Sequence, residues 1–164
     1  RGGHNIDPAM IEEPLYQMPS VKMVAAVGQP DSYAGEVPVA YVELSEGAKV
    51  NEEDIKRFAE ENIGEKAAIP KNIHITDQIP LTPVGKVFKP ALHRLSIKNV
   101  FEQELEQIEE LNGRFSVSVE EDKLHGTKAN IKVQNNTDIG KEFIKDKIME
   151  RISGYALHYE IHFE

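Results

Sequence analysis

Apolar and polar residues alternate with two different periods along this chain, and the periods predict its helices and strands. In the first part, Asp7 and Pro8 fit the start of a short helix, and Asn51 fits the N-cap of a longer one. The runs between them are rich in β-branched residues and separated by turn residues, which favours a hairpin. The predicted order is helix, strand, strand, helix, strand, over residues 8–16, 21–27, 37–44, 51–62 and 72–76.

A second pattern follows residue 95. A helix is predicted over residues 96–111, because its apolar residues recur at helical spacing: Val100, Phe101, Leu105, Ile108 and Leu111. Strands are predicted at residues 115–120, 130–134 and 156–163, with a helix at 139–152 before the last one. The fold class is therefore α+β: residues 1–96 form one domain, and residues 97–164 form a small α-ββαβ extension of unknown role.

The loop between residues 79 and 89 holds the strongest chemical signal. Prolines at positions 80 and 83 forbid a continuous helix or a central strand, and Gly85 permits unusual dihedral angles just before Lys86. Such a loop can hold an ammonium group where it reaches a carboxylate or a phosphate. A nucleotide-binding P-loop is excluded, since Pro80 and Val87 stand where that motif needs a glycine and a hydroxyl residue. An ordinary solvated lysine on a surface loop is the alternative.

Composition and charge narrow the functional classes. The formal net charge of −9 opposes non-specific binding to nucleic acid. Cysteine is absent, which excludes disulfides and thiolate chemistry, and no apolar run approaches the roughly 18 residues that cross a bilayer. A cytoplasmic location is expected. Basic residues gather between Lys66 and Arg94, so an anionic ligand would meet this stretch.

Four segments, in order, resemble the C-terminal domain of adenylate-forming enzymes, the superfamily of AMP-forming acyl-CoA synthetases, luciferases and peptide-synthetase adenylation domains. The segments are residues 1–13 with the run Arg-Gly-Gly-His-Asn-Ile-Asp-Pro, residues 27–40, residues 67–77 with the pair Pro70-Lys71, and residues 79–89 around Gly85-Lys86. The resemblance covers residues 1 to about 95. It implies that these residues form a small mobile lid domain. The natural protein is then expected to start upstream of Arg1, with a large N-terminal adenylation domain before this segment.

The resemblance implies a role for each matching residue. In the family, the lysine that matches Lys86 enters the active site and contacts the carboxylate substrate and the α-phosphate of ATP. The segment that matches Gly2 and Gly3 lines the pantetheine channel, and the residue that matches Lys71 meets the phosphates of CoA in some relatives. The candidate cofactor-binding residues are therefore Gly2, Gly3 and Lys71, together with Gly85 beside the lysine. The position before Gly35 is aromatic in some CoA-binding relatives but is Ala34 here, and Tyr33 is its possible replacement.

The function implied by this resemblance is an ATP-dependent acid–CoA ligase that forms AMP, of the kind found in fatty acid metabolism. ATP with Mg²⁺ and the carboxylic acid would bind mainly in the missing domain, and this fragment alone is expected to be inactive. One alternative is an adenylating enzyme that loads a carrier protein. Another is a stand-alone α/β binding or regulatory module.

The predicted last strand carries a row of polar residues. His158, Glu160 and His162 share one face by alternation, a spacing that could offer metal ligands. The other face carries Tyr159, Ile161 and Phe163, which would fill a core, so we expect the polar row to face solvent and to bind no metal. Packing, regulation or homo-oligomer formation are the open roles for this extension.

Overall fold

The computed structural model describes residues 5–124, 126–134 and 140–164. The chain forms two compact units, residues 1–93 and 94–164, and each contains a three-stranded sheet. The two sheets are mixed, which confirms the α+β class. Within the described residues, no helix is both long enough and apolar enough to cross a membrane.

The first unit has its strands in the order β1-β2-β3. Its elements, with the helix that leads out of it, are α1 (Ala9–Tyr16), β1 (Val21–Asp31), β2 (Gly35–Leu44), α2 (Glu52–Asn62), a 3-10 turn (Lys66–Ala68), β3 (Asn72–Ile75) and α3 (Lys89–Glu106). Strands β1 and β2 are antiparallel, as predicted for the hairpin, and β3 runs parallel to β2. The division between the two units falls within α3.

The β1–β2 hairpin is longer than the sequence pattern predicts. Residues 28–31 were expected to form a turn, but they continue β1, and only residues 32–34 connect the strands. Pro30 pairs with Glu36 in this stretch. A proline is tolerated there because β1 is an edge strand, where a missing N–H need not cost a ladder hydrogen bond.

Two apolar layers cover the faces of the first sheet. On one face, α1 and α2 pack Ile11, Leu15, Ile55 and Ala59 against the strands. The helix α2 starts where expected, since the Asn51 side chain accepts the Asp54 N–H and Asp54 returns a bond to the Asn51 N–H. On the other face, Ala25, Val39 and Tyr41 form a second cluster with two residues from the chain after β3, Ile79 and Leu92. Residues that alternate along β1 and β2 thus serve two cores.

The second unit repeats the strand pairing of the first. Beyond α3 its elements are a 3-10 turn (Glu109–Leu111), β4 (Phe115–Asp122), β5 (Gly126–Val133), α4 (Lys141–Ile152) and β6 (His158–Phe163). Again the first two strands are antiparallel and the third is parallel to the second. All five apolar residues that predicted the connecting helix are buried in one core with Ile131, Ile148 and Ile152.

Several predicted boundaries in this region differ from the structure. The connecting helix ends at residue 106 and not at 111, β5 begins at residue 126 and not at 130, and β6 begins at residue 158 and not at 156. The connecting helix was expected to begin at Ser96, but α3 already begins at Lys89. Pro90 does not break it, because the N–H groups of a helix's first turn have no intrahelical partner. Of the helix predicted at residues 139–152, the part from Lys141 is confirmed, and Ile139 lies outside the described residues.

His74 on β3 is a partly buried imidazole whose Nε2 has no hydrogen-bond partner among the described residues. Its ring stacks on Tyr41, with 4.9 Å between the ring centroids. Burial lowers the pKa of His74 below its ordinary value of 6.5, and the charge of Glu52 opposes this shift. Protonation of His74 is therefore more costly in the folded chain than in the unfolded one.

We predict that the chain loses stability as the pH falls below about 6.5, through the lowered pKa of folded His74. The sign follows because the unfolded state binds the proton first. His74→Phe keeps an aromatic ring against Tyr41 but cannot titrate, so its free energy of unfolding should change less between pH 8 and pH 5. Urea unfolding at several pH values measures this, and equal slopes for the two proteins would contradict it.

Candidate active site

Residues 79–88, which we call the lysine hairpin, present Lys86 on a tight turn. Leu81 and Val87 form an antiparallel bridge, and the Phe88 N–H donates to the Pro80 carbonyl over 2.8 Å. Nearer the tip, the Thr82 N–H donates to the Lys86 carbonyl over 2.6 Å. The prolines thus do not leave an irregular loop, because the chain closes into a short hairpin with Lys86 at the end of its turn.

Thr82 and Gly85 set the shape of this turn. The Gly85 N–H donates to the Thr82 carbonyl over 2.9 Å, and the Lys86 N–H donates to Thr82 Oγ1 over 3.1 Å. Gly85 has a φ of +80°, which a residue with a side chain adopts at a cost. Proline after the first turn residue and a left-handed glycine fit a three-residue hairpin loop. Gly85 therefore shapes the turn that leads into Lys86.

The Lys86 side chain extends into solvent. Among the described residues, no carboxylate lies within 4.0 Å of its ammonium group, and its neighbour Val84 is 80% exposed. Leu81 and Phe88 are also more than a third exposed. The hairpin therefore offers a cation flanked by apolar side chains, a surface that suits contact with another protein surface or a ligand pocket.

The first root of the lysine hairpin is held by a buried carboxylate. Ile79 is 1% exposed in the core, and its N–H donates to Glu43 Oε2 over 3.1 Å. The other oxygen of Glu43 accepts from Lys22 Nζ at 2.5 Å. The hydrogen bond from the Lys22 ammonium lowers the pKa of Glu43 most, and the bond from the Ile79 N–H lowers it further. Together they keep this pKa below its ordinary value although burial raises it. Glu43 is thus ionised at neutral pH and tied to both β1 and the hairpin.

The second root has a similar anchor. Lys89 follows the hairpin and forms an ion pair with Glu12 at 2.7 Å, and the same oxygen of Glu12 accepts the Ala26 N–H at 2.8 Å. One turn further along α3, His93 lies 3.0 Å from a carboxylate oxygen of Glu36. Both ends of the hairpin are therefore connected to the first sheet through glutamate side chains.

Lys71 lies beside the tip of the β1–β2 hairpin. Its ammonium pairs with Asp31 at 2.7 Å, and its N–H donates to the Pro38 carbonyl. Asp31 also accepts the N–H groups of Tyr33 and Ala34, and the bond from Lys71 contributes most in lowering the pKa of Asp31 to about 2. Tyr33 is 99% exposed at this tip. A phosphate at Lys71 would compete with Asp31 for the ammonium.

The glycine-rich segment lies outside the described residues, and with it Gly2, Gly3 and His4. A cleft of about 180 Å³ opens beside Asn5 and Ile6, the first residues that the structure describes. Gly28 and Glu36 also line it, and a Cβ on Gly28 would come within 2.6 Å of a Glu36 oxygen. Glycine at position 28 thus lets the Glu36 carboxylate lie against the strand, and a larger residue would have to displace that side chain.

Sequence reasoning missed three residues that shape this site: Glu43, Thr82 and Asp31. Glu43 sits in an otherwise apolar strand, and a lone carboxylate in a buried run was the available signal. The basic stretch from Lys66 to Arg94 was expected to act as one patch. The structure instead pairs Lys71, Lys89 and His93 with three different acids of the first sheet and α1.

The polar row on β6 is part of a sheet face made of charged pairs. His158, Glu160 and His162 are exposed, as predicted, while Tyr159, Ile161 and Phe163 pack against the core. Lys128 on β5 lies 3.3 Å from Glu160 and 3.4 Å from Glu120 on β4. The face is therefore crossed by ion pairs between its three strands.

Comparison with known proteins identifies the first unit. Residues 10–86 match the family described as AMP-binding enzyme C-terminal domain. The chain carries this domain. The match ends at Lys86, so it includes α1, the first sheet and the lysine hairpin up to its cation.

Relatives of this AMP-binding C-terminal domain are acyl-CoA ligases. The marinolic acid–CoA ligase of Pseudoalteromonas sp. (strain SANK 73390) is 46% identical over 123 residues, which is 74% of this chain and 18% of that ligase. Because the first unit ends at residue 93, this similarity reaches into the second unit. The chain spans about 18% of the length of the relative that it matches.

Solved structures agree with the family. The fatty acyl CoA synthetase of Mycobacterium tuberculosis is 32% identical with a TM-score of 0.53, over 57% of this chain and 18% of that one. The amide bond synthetase McbA from Marinactinospora thermotolerans is 29% identical with a TM-score of 0.51, over 55% and 18%.

We predict that Gly85→Ala destabilises the chain by about 1–2 kcal/mol, because an L side chain is strained at this φ although no atom lies within 4 Å of the added Cβ. Gly64→Ala is the matched control: it is equally open but lacks a positive φ, so it should be neutral or slightly stabilising. Thermal or urea unfolding of the two variants tests this. Equal effects would show that the turn does not require glycine.

The Asp31–Lys71 pair should stabilise the chain above pH 4 and lose its effect as the pH falls towards 2, since folding lowers the pKa of Asp31. Lys71 is half exposed, so the pair contributes at most about 1 kcal/mol. Asp31→Asn keeps the oxygen that accepts the turn N–H groups and removes the charge. Its deficit in unfolding free energy should be present at pH 7 and shrink below pH 4; a deficit independent of pH would contradict the assignment.

Proposed function

We propose that this chain is the mobile C-terminal part of an AMP-forming acyl-CoA ligase, in which Lys86 supplies the cation for acyl-adenylate formation. The observation that carries the proposal is an ammonium group without a carboxylate partner among the described residues, held at the end of an anchored hairpin in an AMP-binding C-terminal domain. Lys71 and Lys89, in the same basic stretch, each pair with a carboxylate instead.

The electrostatics of adenylation explain the need for such a cation. A carboxylate attacks the α-phosphate of ATP, so two anionic groups approach and negative charge develops on the phosphate oxygens. A preorganised ammonium stabilises that charge more in a closed site than in water. The hairpin turn, fixed by Thr82 and Gly85, restricts where the Lys86 side chain can reach.

The remaining substrates would bind mainly to a larger partner region. ATP, with its Mg²⁺, and the carboxylic acid would be held by an N-terminal adenylation domain in the same polypeptide, and this fragment alone is expected to be inactive. The exposed apolar residues beside Lys86, Leu81, Val84 and Phe88, are suited to contact that domain when the hairpin enters it.

For the second half-reaction, the CoA thiol would attack the acyl-adenylate. We propose that Gly2 and Gly3, which lie outside the described residues, line the pantetheine channel. Lys71 would contact a CoA phosphate after releasing Asp31, and the exposed ring of Tyr33 at the same hairpin tip could lie against the adenine. Lys71 and Tyr33 are close together because both donate hydrogen bonds to the Asp31 carboxylate, Lys71 from its ammonium and Tyr33 from its backbone N–H.

A second candidate acceptor is supported by the comparison with an amide bond synthetase. In that case the same adenylate would be transferred to an amine or to a carrier protein instead of CoA. Lys86 would keep its role, because it serves the first half-reaction, whereas Lys71 would lose its proposed phosphate contact. The acceptor therefore decides which residues of this chain matter after adenylation.

We expect Lys86→Ala in the full-length ligase to slow acid-dependent pyrophosphate exchange on the order of 100- to 1,000-fold, the typical loss on removing one charge-stabilising group. Thioester formation from supplied acyl-adenylate should stay near the wild-type rate. Both rates are measured with a panel of carboxylic acids.

Lys49→Ala is the matched control, since Lys49 is an exposed lysine of the same unit, outside the lysine hairpin. It should leave both rates unchanged. Unchanged exchange in Lys86→Ala would refute the proposed function, and equal loss of both half-reactions would show that Lys86 does not act specifically in adenylation.

A further inference from the structure

Among the described residues, Glu43 is the one acidic residue that is buried, with 9% of its surface exposed. It lies near the end of β2, where Val39, Ala40, Tyr41 and Val42 are all buried apolar neighbours. A charged group in such a place is costly unless its oxygens are paired. Its presence is explained by what the two oxygens hold.

The two oxygens hold two different parts of the first unit. Oε1 accepts from Lys22 on the neighbouring strand β1, which orients the carboxylate, and Oε2 accepts the N–H of Ile79. Ile79 is the residue before Pro80, so this bond sits where the lysine hairpin leaves the core. Pro80 has no N–H to donate. The next backbone hydrogen bond of the hairpin therefore runs from the Phe88 N–H to the Pro80 carbonyl.

Few contacts fix the direction of the hairpin, and within residues 80–88 the partly buried Val87 packs against the second core cluster. Its tip residues Pro83, Val84 and Lys86 are exposed, and its internal bonds define the turn but not the angle at which the turn leaves the sheet. That angle is set by the buried Ile79 side chain and the Glu43 bond to its N–H at one root, and by Val87 packing and the Lys89 pair with Glu12 at the other. A small rotation at Ile79 is amplified at the ammonium of Lys86.

We propose that Glu43 is a positioning residue for adenylation: by holding the Ile79 N–H, its carboxylate directs the lysine hairpin so that Lys86 reaches the reacting phosphate. The inference rests on the proposed function of Lys86. Glu43 itself does not touch substrate. Its effect is confined to the half-reaction that uses the hairpin, because the CoA contacts proposed above arise from other segments of the unit.

The test uses the full-length ligase with Glu43→Leu, Glu43→Gln and Lys86→Ala. Leucine fills a similar volume but cannot accept the Ile79 N–H, so pyrophosphate exchange should fall about 10- to 100-fold, the range that follows a small misplacement of a reacting group. Glutamine keeps an acceptor oxygen and should restore most of that loss. Thioester formation from supplied acyl-adenylate should stay near the wild-type rate in both variants.

Hydrogen–deuterium exchange of peptides that cover residues 77–88 gives a readout that does not depend on catalysis. Glu43→Leu should speed exchange there, and Glu43→Gln should do so less. Glu46→Gln, an exposed glutamate just beyond β2, is the matched control and should change neither the rates nor the exchange.

The outcomes separate the two claims. If Lys86→Ala abolishes pyrophosphate exchange but Glu43→Leu does not slow it, the positioning role is wrong and the function of Lys86 stands. If Glu43→Leu lowers both half-reactions equally together with the melting temperature, Glu43 is only structural and the proposal is overturned. If Lys86→Ala leaves exchange intact, the proposed function fails, and the positioning role fails with it.

Discussion

Two glutamates that each accept a lysine ammonium and a backbone N–H fix the roots of the lysine hairpin in the first unit. Lys86 sits at the exposed end of a hairpin that packs only Ile79 and part of Val87 against the core, so its position depends on how the two roots are attached to the sheet. Two glutamates provide the attachment, Glu43 at Ile79 and Glu12 at Lys89. Each accepts a lysine ammonium and a backbone N–H, an arrangement that keeps a carboxylate ionised and oriented in a partly dry place.

Ion pairs around the lysine hairpin also account for much of the distribution of basic residues along the chain. The chain is acidic overall, yet its basic residues cluster between positions 66 and 94. In the folded unit Lys71, Lys89 and His93 are each matched to an acid, which fixes the elements around the hairpin. Lys86 differs because no described carboxylate pairs with it. The acids of the first unit thus hold the scaffold in place without neutralising the group that would meet an anionic substrate.

The second unit has the same pattern of strand pairing as the first, but its described residues include no counterpart of the lysine hairpin. Its hairpin and parallel third strand repeat the pairing of the first sheet, but its outer face is crossed by ion pairs around Lys128. Since the match to the marinolic acid–CoA ligase reaches into this unit, at least part of it has a counterpart in a ligase. Its proposed roles remain packing, regulation or self-association.

Local sequence determined which elements form. Residue periods predicted the hairpin, α2 and the core face of the connecting helix, and the Pro-Val-Gly-Lys turn singled out Lys86, because these features depend on neighbours within a few positions. The tertiary structure alone decided which distant residues meet. Glu43 and Ile79 are 36 positions apart, and Lys71 and Asp31 are 40 apart. No local pattern encodes such pairs, since they arise only when segments that are distant in sequence pack against the same sheet.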